Sequence, residues 1–389
     1  MRNFYVDLHV HLGSNWRGAP IKITASPQMT LERILVEARE RKGLDIVGIV
    51  DTLGPSVQEE LHHLCLKNIL QELPGGGLRH KNGITLILGG ELETREGAHF
   101  ITYLPNLDCL KGFAKAVSPF ITNMNLSTQR AGFSLQRLMS MADAYGGVVI
   151  PAHAFTPHKG VYGCAVRRLG ELFPAGLPPS LVGIELGLSS DTSMADRIAE
   201  THQLTFLSNS DAHSLGKLAR EYNIICCRGA SYEELMAAIT CTNGRKVVAN
   251  YGLEPQLGKY YRSYCSACGY LAQEKGPVIS CPRCDSDQVV LGVRDRIDSI
   301  ADWARPRSPE GRPPYIYQVP LEFIPGVGPR TLARLLAAFG TEMNVLHKTS
   351  LRELIQVLGE KIARRIVRAR KGELPINPGG GGKYGKVLT

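Results

Sequence analysis

Short apolar segments in the first two-thirds of the chain end, one after another, in a residue that can bind a metal. The first segment, Phe4–Val6, runs directly into Asp7-Leu8-His9-Val10-His11. Two histidines at positions i and i+2 project from the same side of an extended strand, so His9 and His11 can reach one ion. Other apolar, β-branched runs end in the same way, at Asp51, Glu91, His153, Glu185 and Asp211.

Helix-period segments lie between these strand candidates, for example Leu31–Arg41, Leu135–Tyr145 and Met194–Thr201. Short buried strands that alternate with helices predict parallel βαβ units. In a closed β/α barrel the carboxyl ends of all strands meet on one face, where active sites collect. We therefore predict an α/β fold with one shared metal site. Its predicted ligands are His9, His11, Asp51, Glu91, His99, His153, Asp211 and His213.

The roles within this set differ with side-chain chemistry. Glu91 and Asp211 are the carboxylates best suited to bridge two cations and to position the attacking water, so we predict them to be catalytic. The imidazoles would fix each ion in place, and Glu185 would contact these imidazoles without binding the ions itself. His99 has a second interpretation, because it also begins the apolar run Phe100–Leu104 and could be a packed strand residue.

The series His9-x-His11, Asp51, Glu91, His99, His153 and Asp211-x-His213 resembles the polymerase and histidinol phosphatase (PHP) superfamily. This resemblance implies a distorted (β/α)7 barrel that holds two or three metal ions and hydrolyses phosphoesters. Within the superfamily, Pro151–Pro157, Gly187–Asp191 and Ser208–Ser214 are similar to the endonuclease Q family of DNA repair nucleases. Many PHP proteins have an Asp-His pair after the second strand, whereas Thr52 follows Asp51 here, so Asp51 itself is the expected ligand.

The resemblance also implies a substrate, which is DNA cut on the 5′ side of hypoxanthine, uracil, xanthine or an abasic site. A nuclease of this kind must extrude the damaged base and hold it between side chains. The loop after His153 offers Phe155 and Tyr162 as pocket walls, and the resemblance suggests that Ser189 and Asp191 bond the base edge. We expect Zn²⁺ in the barrel, with Mg²⁺ or Mn²⁺ as alternative catalytic ions, and damaged DNA, double- or single-stranded, as the partner.

Four cysteines form two Cys-x-x-Cys pairs, Cys265/Cys268 and Cys281/Cys284, separated by 12 residues. This spacing predicts one tetrahedral Zn²⁺ held by four thiolates, which is a closed, structural site. The other six cysteines show no regular spacing. A reducing compartment is therefore favoured over a secreted, disulfide-linked protein.

The net charge of +9 lies entirely in the last third of the chain. From Leu257 onward there are 21 Lys and Arg against 12 Asp and Glu, whereas the first 256 residues carry equal numbers of each sign. A basic module beside a neutral catalytic domain suits a polyanion, because neutralised phosphates release counterions. A solvated basic surface with no partner is the alternative interpretation.

The segment Leu321–Leu336 has a Pro-Gly-Val-Gly turn between apolar stretches and resembles a helix-hairpin-helix. Glycines in such a turn let backbone N–H groups and a helix N-terminus approach a phosphate. A plain turn between helices is the alternative, and Lys361–Lys371 predicts a basic amphipathic helix beyond it. The predicted DNA contacts are Gly326, Gly328, Arg330 and Thr331.

The tail Gly380–Lys386 imitates a phosphate-binding P-loop. No Ser or Thr follows Lys386, no strand precedes the tail, and only three residues remain for a following helix. We therefore expect no ATP site there.

These observations divide the chain into four parts and favour one function. We expect a PHP-type barrel in residues 1–256, a zinc ribbon with four cysteine ligands in 257–300, a Pro/Arg-rich linker in 301–320, and a basic helical DNA-binding module with a flexible Gly-rich tail in 321–389. No long apolar span or signal peptide is visible, so we expect a soluble, cytoplasmic, nucleoid-associated protein without a membrane partner. The favoured function is a metal-dependent DNA repair endonuclease. The rivals are a histidinol-phosphatase-like phosphoesterase, which needs the barrel alone, and a DNA-binding scaffold with an inactive barrel.

Overall fold

The structure is a computed structural model that describes residues 1–274 and 276–388. The strands are β1 (Arg2–Val10), β2 (Ile46–Ile49), β3 (Leu70–Glu72), β4 (Leu78–His80), β5 (Thr85–Glu93), β6 (His99–Leu104), β7 (Val148–Pro151), β8 (Gly183–Glu185), β9 (Thr205–Leu207), β10 (Tyr222–Cys227), β11 (Lys246–Gly252), β12 (Tyr264–Cys265), β13 (Val289–Val290), β14 (Tyr315–Tyr317), β15 (Ile376–Asn377) and β16 (Lys386–Val387). The α-helices are α1 (Leu31–Val36), α2 (Pro55–Leu66), α3 (Leu107–Val117), α4 (Leu135–Asp143), α5 (Thr192–Ala195), α6 (Tyr232–Ile239), α7 (Val293–Ile300), α8 (Pro329–Phe339), α9 (Glu342–His347), α10 (Leu351–Leu358) and α11 (Glu360–Arg370).

A mixed sheet of ten strands runs through the first 317 residues. Strand β1 pairs in parallel with β2, and β2 with β5. The pairs β5–β6, β6–β7, β1–β10 and β10–β11 are antiparallel. Strands β8 and β9 form a separate parallel pair, and Ala212, just after β9, bridges back to Val10 at the end of β1. The ends of β1 and β9 are thereby brought side by side.

The mixed pairing agrees only in part with the expectation of parallel βαβ units. Only residues 94–98 connect β5 to β6. So short a connection makes a hairpin, because a parallel return needs a crossover of about a dozen residues or more. His99 consequently lies opposite Glu93. The hairpin carries the first residue of β6 back to the end of β5, where Glu91 lies.

Burial of one face of β1 determines where its histidines point. Phe4, Val6 and Leu8 are at most 2% exposed and pack in one apolar cluster. Side chains alternate between the faces of a strand, so His9 and His11 project to the opposite side. A slip by one residue would reverse both sets, which is why the apolar residues specify the direction of the imidazoles.

The predicted helices agree with the structure in position more than in length. Leu31–Arg41 is found as α1 continued by a π-helical segment, Glu37–Lys42, and Leu135–Tyr145 is found as α4. The predicted helix Met194–Thr201 is instead the short α5 and a separate 3₁₀ segment, Ala199–Gln203, because Ile198 between them is extended.

The segment predicted to be a linker is attached to the sheet. Its residues Tyr315–Tyr317 form β14, which pairs in parallel with β11. Arg312, which belongs to the same segment and has a buried side chain, forms a 3.0 Å ion pair with Asp196. A Pro- and Arg-rich composition therefore does not mark a free connection here.

The C-terminal tail is also attached. Its two ends pair as β15 and β16, and its backbone bonds to residues 256–259. The N–H of Gly379 donates to Gln256 O over 2.6 Å, and the N–H of Gly385 donates to Leu257 O over 2.9 Å. This hairpin corrects the expectation of a flexible tail.

Among the described residues, no helix is long and apolar enough to cross a membrane.

Glu221, immediately before β10, is a buried carboxylate with an incomplete set of partners. The N–H of Leu253 donates to its Oε1 over 2.8 Å, while no donor within the described chain reaches its Oε2. Burial raises the pKa of Glu221 from 4.5 to about 8. Because the folded pKa is above the unfolded one, the native state binds more protons, and this contribution to stability is lost as pH rises from 4.5 to about 8.

We predict that Glu221→Gln stabilises the protein more at pH 8 than at pH 5, because the neutral amide avoids a buried charge. The difference in unfolding free energy between variant and wild type should grow by up to about 1.4 kcal/mol per pH unit within this window. Urea unfolding followed by circular dichroism measures it. Glu233→Gln, at an exposed position of α6, is the control, and a pH-independent difference would contradict the prediction.

Candidate metal centre

A cavity of about 480 Å³ opens where β1, β5, β7 and β9 end. Its volume is typical of ligand pockets, which span about 300–1,000 Å³. Most of the predicted metal ligands line it, and the remaining two, His9 and Asp51, are buried beside it. The predicted ligands on the cavity wall are His11, Glu91, His99, His153, Asp211 and His213.

The first group of potential ligands consists of His9, His11 and Asp211, whose donor atoms all lie within 4.8 Å of one another. Nε2 of His9 is 3.1 Å from Nε2 of His11. Oδ1 of Asp211 is 3.6 Å and 3.4 Å from these two nitrogens. Tetrahedral ligands about 2.0–2.1 Å from a zinc ion lie roughly 3.3 Å apart, so the spacing fits one cation.

Two carboxylates fix the orientation of these imidazoles from behind. Nδ1 of His9 donates to Glu185 over 3.0 Å, and Nδ1 of His11 donates to Asp51 over 3.0 Å. Each Nε2 is then left with a lone pair that points at the other. Two facing lone pairs repel unless a proton or a cation lies between them, so the donor set fits a metal ion.

Asp51 therefore contacts the back of His11 and belongs to neither group of potential ligands. Its oxygens also accept from the N–H of Leu12, over 2.6 Å, and from the hydroxyl of Ser127. These contacts engage the carboxylate away from the cavity.

The second group consists of Glu91, His99 and His153. Oε1 of Glu91 is 3.0 Å from Nδ1 of His99 and 3.3 Å from Nε2 of His153. The same carboxylate lies 3.6 Å from Nε2 of His9 and 3.5 Å from Nε2 of His11. Glu91 thus stands between the two groups, in the position of a bridging ligand.

Backbone strain accompanies this convergence. His153 and Asp211 have φ of 30° and 46°, in the left-handed region that non-glycine residues rarely occupy. Gly187, with φ of 80°, packs so closely that a Cβ there would be 2.9 Å from Cβ of His153. Such conformations persist only where the surroundings enforce them, and they cluster at functional sites.

The negative charge of the centre favours cations. Burial disfavours the charged form of His9, but Glu185, Asp211 and Glu91 outweigh it and raise the pKa of His9 to about 10. Burial would raise the pKa of Glu91, yet Lys22 and the neighbouring imidazoles hold it well below its usual value. The ammonium of Lys22 donates to Oε2 of Glu91 over 3.1 Å. Surroundings that stabilise a proton or an ammonium group also stabilise a metal cation.

His213 lies on the cavity wall as a neutral imidazole. Burial, together with the charges of His11 and Lys22, lowers its pKa to about 4. Its Nδ1 donates to the carbonyl of Asp211 over 3.0 Å, which leaves Nε2 free to accept. A neutral imidazole is the form that binds metals.

The four cysteines of the second module converge as predicted. Sγ of Cys265 is 3.7 Å from Sγ of Cys284, and Sγ of Cys268 is 3.6 Å from Sγ of Cys281. Thiolates about 2.3 Å from a tetrahedral zinc ion lie roughly 3.8 Å apart, so the group fits Zn²⁺. The antiparallel pair β12–β13 brings Cys265 opposite Val289, as in a small ribbon.

The structure corrects three of the four predicted base contacts. Phe155 and Tyr162 are fully buried, stack on each other with ring centroids 5.2 Å apart, and do not line the cavity. Asp191 caps α5 by accepting from Met194 N–H over 2.7 Å, and its other oxygen accepts from a tyrosine hydroxyl. Ser189 alone of the four lies on the cavity wall.

The predicted helix-hairpin-helix turn is exposed. Gly326 has φ of 95°, and Gly328 precedes α8, which begins with Pro329. Arg330 is exposed and Thr331 is half-buried in the first turn of that helix.

Other cavity residues are not among the predicted metal ligands and base contacts. They include Lys22 in the loop after β1, a segment that a barrel places over its active site. Basic and aromatic residues from distant segments complete the wall, and no local pattern marks them. The residues are Lys22, His158, Lys217, Arg220, Lys259, Tyr260 and Tyr384.

Comparison with known proteins places this geometry in a family. The family model described as PHP-associated matches residues 190–243. The crystal structure of the lesion-specific endonuclease PfuEndoQ from Pyrococcus furiosus matches with a TM-score of 0.84 and 31% identity, over 99% of this chain and 95% of that one. The chain belongs to the endonuclease Q group of the PHP superfamily.

Two further proteins match the chain over nearly its whole length. An endonuclease Q in complex with a 27-mer duplex with an abasic lesion at the active site is 32% identical, with a TM-score of 0.84 over 99% of this chain and 96% of that one. A Bacillus subtilis (strain 168) protein, named uncharacterized protein YqxK, is 43% identical over the full length of both chains.

We predict that Asp51→Asn weakens metal binding about 10- to 100-fold. An amide has only one acceptor oxygen, so it would no longer accept all the hydrogen bonds of Asp51, including the one that holds His11 as the Nδ1–H tautomer. Isothermal titration with Zn²⁺ and with Mn²⁺ measures the change in Kd. Asp45→Asn, a half-buried carboxylate just before β2, serves as the control. Unchanged affinity in Asp51→Asn would show that Asp51 does not orient a ligand.

Proposed function

We propose that the protein is a metal-dependent DNA repair endonuclease that hydrolyses the phosphodiester bond on the 5′ side of a deaminated base or an abasic site. The observation that carries the proposal is the joint presence of the two ligand groups and of unpaired cations in one cavity. The full-length likeness to the lesion-specific PfuEndoQ and to the lesion-bound endonuclease Q supports DNA as the substrate. Hypoxanthine, uracil and xanthine are the deaminated bases we expect, and the sheet would serve as the distorted (β/α)7 barrel of the family.

We assign one ion to His9, His11 and Asp211, and a second ion to Glu91, His99 and His153. Glu91 would bridge them, while Asp51 and Glu185 hold the imidazoles. His213 is the candidate for a further ligand because its free Nε2 faces the same cavity. Metal ions bound there would supply Lewis-acid stabilisation and lower the pKa of a bound water.

The chain's own residues would bind and orient the phosphate. Lys22, held on Glu91 at 3.1 Å, keeps that carboxylate ionised and brings a positive charge to the reaction centre. The strained loops of His153 and Asp211 hold their side chains in place before the substrate arrives, so little reorganisation is needed during the reaction.

We place the extruded base between the loop after His153 and the start of the zinc module. His158 and Tyr260 line the cavity there, with ring centroids 5.2 Å apart and nearly perpendicular planes. Ser189 on the same wall is the candidate to bond the base edge. These residues take the role that the sequence suggested for Phe155 and Tyr162.

The zinc module and the C-terminal helices would hold the duplex. Glycines 326 and 328 leave the start of α8 open to a phosphate, with Arg330 and Thr331 beside it. The excess basic charge of this last third of the chain suits the same task.

End-labelled duplexes with one deoxyinosine, deoxyuridine or abasic site test the proposal, beside an undamaged duplex and with Mg²⁺, Mn²⁺ or EDTA. We expect one nick immediately 5′ of the lesion that EDTA abolishes, and a loss of at least about a hundredfold in Asp211→Ala. Asp143→Ala, an exposed position at the end of α4, is the control. If the DNA stays intact while a small phosphomonoester is hydrolysed, the nuclease assignment is wrong and the protein is a small-molecule phosphoesterase.

We predict that Arg330→Ala weakens binding to damaged and undamaged duplexes equally, since a phosphate contact carries no sequence information. The slope of log Kobs against log salt should become less steep by about 0.9. Fluorescence anisotropy in EDTA measures both quantities. Arg2→Ala, at the exposed end of β1, is the matched control. An unchanged slope in Arg330→Ala would show that Arg330 does not contact a DNA phosphate.

A further inference from the structure

Three cations surround one aromatic ring at the mouth of the cavity. The ring belongs to Tyr384 in the C-terminal hairpin, and its centroid lies 5.6 Å from Nζ of Lys217, 5.7 Å from Cζ of Arg220 and 5.9 Å from Nζ of Lys259. All four residues line the cavity that contains the metal-ligand groups. A cation within about 6 Å of a ring is attracted to it, so Tyr384 holds these charges together.

The glycines of the tail make this arrangement possible. A Cβ at Gly379 would lie 2.7 Å from the carbonyl oxygen of Gly258, and a Cβ at Gly385 would lie 2.9 Å from that of Gln256. A side chain would therefore push the hairpin off residues 256–259. The Gly-rich sequence that resembles a P-loop instead fits the tail against the cavity rim and sets Tyr384 in place.

The cations of this cluster form no direct ion pair within the described chain. Within the described chain, none of Lys217, Arg220 and Lys259 lies within 4.0 Å of a carboxylate oxygen. Arg220 donates instead to the carbonyl of Ser210 over 2.7 Å and to the hydroxyl of Tyr384 over 3.0 Å. The carboxylates of Glu221 and Glu322 lie in the wider surroundings but form no direct ion pair with these cations. Like charges held together without direct ion pairs attract an anion.

Arg220 also joins the cluster to the metal centre. Its Nη2 donates over 3.2 Å to the carbonyl of Asp211, the strained residue whose side chain is a potential ligand. One guanidinium group thus bonds both the Asp211 loop and the tail. The position of the tail is thereby tied to the geometry of the loop.

We propose that Lys217, Arg220, Lys259 and Tyr384 form a subsite for a DNA backbone phosphate next to the phosphate that is cleaved. The proposal rests on the proposed function, because it takes the cleaved strand to enter this cavity. The C-terminal hairpin is then a wall of the active site, and Tyr384 is a positioning residue that acts through the three cations.

The first experiment measures duplex binding in EDTA, so that it does not depend on the metals. In the double variant Lys217→Gln/Lys259→Gln, the slope of log Kobs against log salt should become less steep by about 0.9 to 1.8, for one or two phosphates. Tyr384→Ala should bind about two- to five-fold more weakly, and Tyr384→Phe, which keeps the ring, should recover most of this loss. Lys111→Gln/Lys115→Gln, on the exposed face of α3, matches the change in charge.

The second experiment compares the wild-type protein with the same double variant, and it changes the DNA instead of the protein. Single phosphates on either side of the lesion are replaced, one at a time, by neutral methylphosphonates. One replacement should weaken binding to the wild type and leave binding to Lys217→Gln/Lys259→Gln nearly unchanged, because the two changes remove the same contact.

The outcomes separate the two proposals. If the wild type neither binds nor cuts the damaged duplex, the proposed function fails. If the wild type does both, but the double variant keeps the wild-type slope or each methylphosphonate affects both proteins equally, the subsite is wrong and the function stands. Equal losses in Tyr384→Phe and Tyr384→Ala would also overturn the role of the ring.

Discussion

Two imidazole nitrogens that face each other across 3.1 Å are the constraint on which the rest of the site depends. Glu185 and Asp51 hold the outer nitrogens of His9 and His11, so both inner lone pairs converge. Such an arrangement is stable only with positive charge between the rings. The carboxylates of Glu91 and Asp211 lie around the same point, where they stabilise positive charge, and the ammonium of Lys22 offsets part of their negative charge by bonding Glu91.

The fold meets this demand by bringing strand ends together from widely separated parts of the sequence. The short hairpin between β5 and β6 returns His99 to Glu91, and the bridge from Ala212 to Val10 brings Asp211 to β1. This convergence requires left-handed backbone conformations at His153 and Asp211, which cost conformational free energy. Burial of the apolar side chains of β1 contributes stabilising free energy and also keeps the strand in register.

Around the metal centre, two segments from the last third of the chain line the rim of the cavity. The zinc module supplies Lys259 and Tyr260 to the rim, and the C-terminal hairpin supplies Tyr384. These segments are distant from the histidines in the sequence, yet they contact the same cavity. The basic last third of the chain therefore lines this cavity, in addition to carrying the surface that we propose for DNA.

Local spacing was enough to predict most of the potential metal ligands that come together in this protein. His9-x-His11, the acidic or histidine residue after each apolar run, and the two Cys-x-x-Cys pairs are short patterns, and the structure brings each set together. Only the tertiary structure decided that Phe155 and Tyr162 face the core, that Asp191 caps α5, and that Lys22 and Tyr384 reach the cavity. The physical reason is that burial and long-range contact depend on how distant segments pack, whereas ligand spacing along a strand is set by the backbone itself.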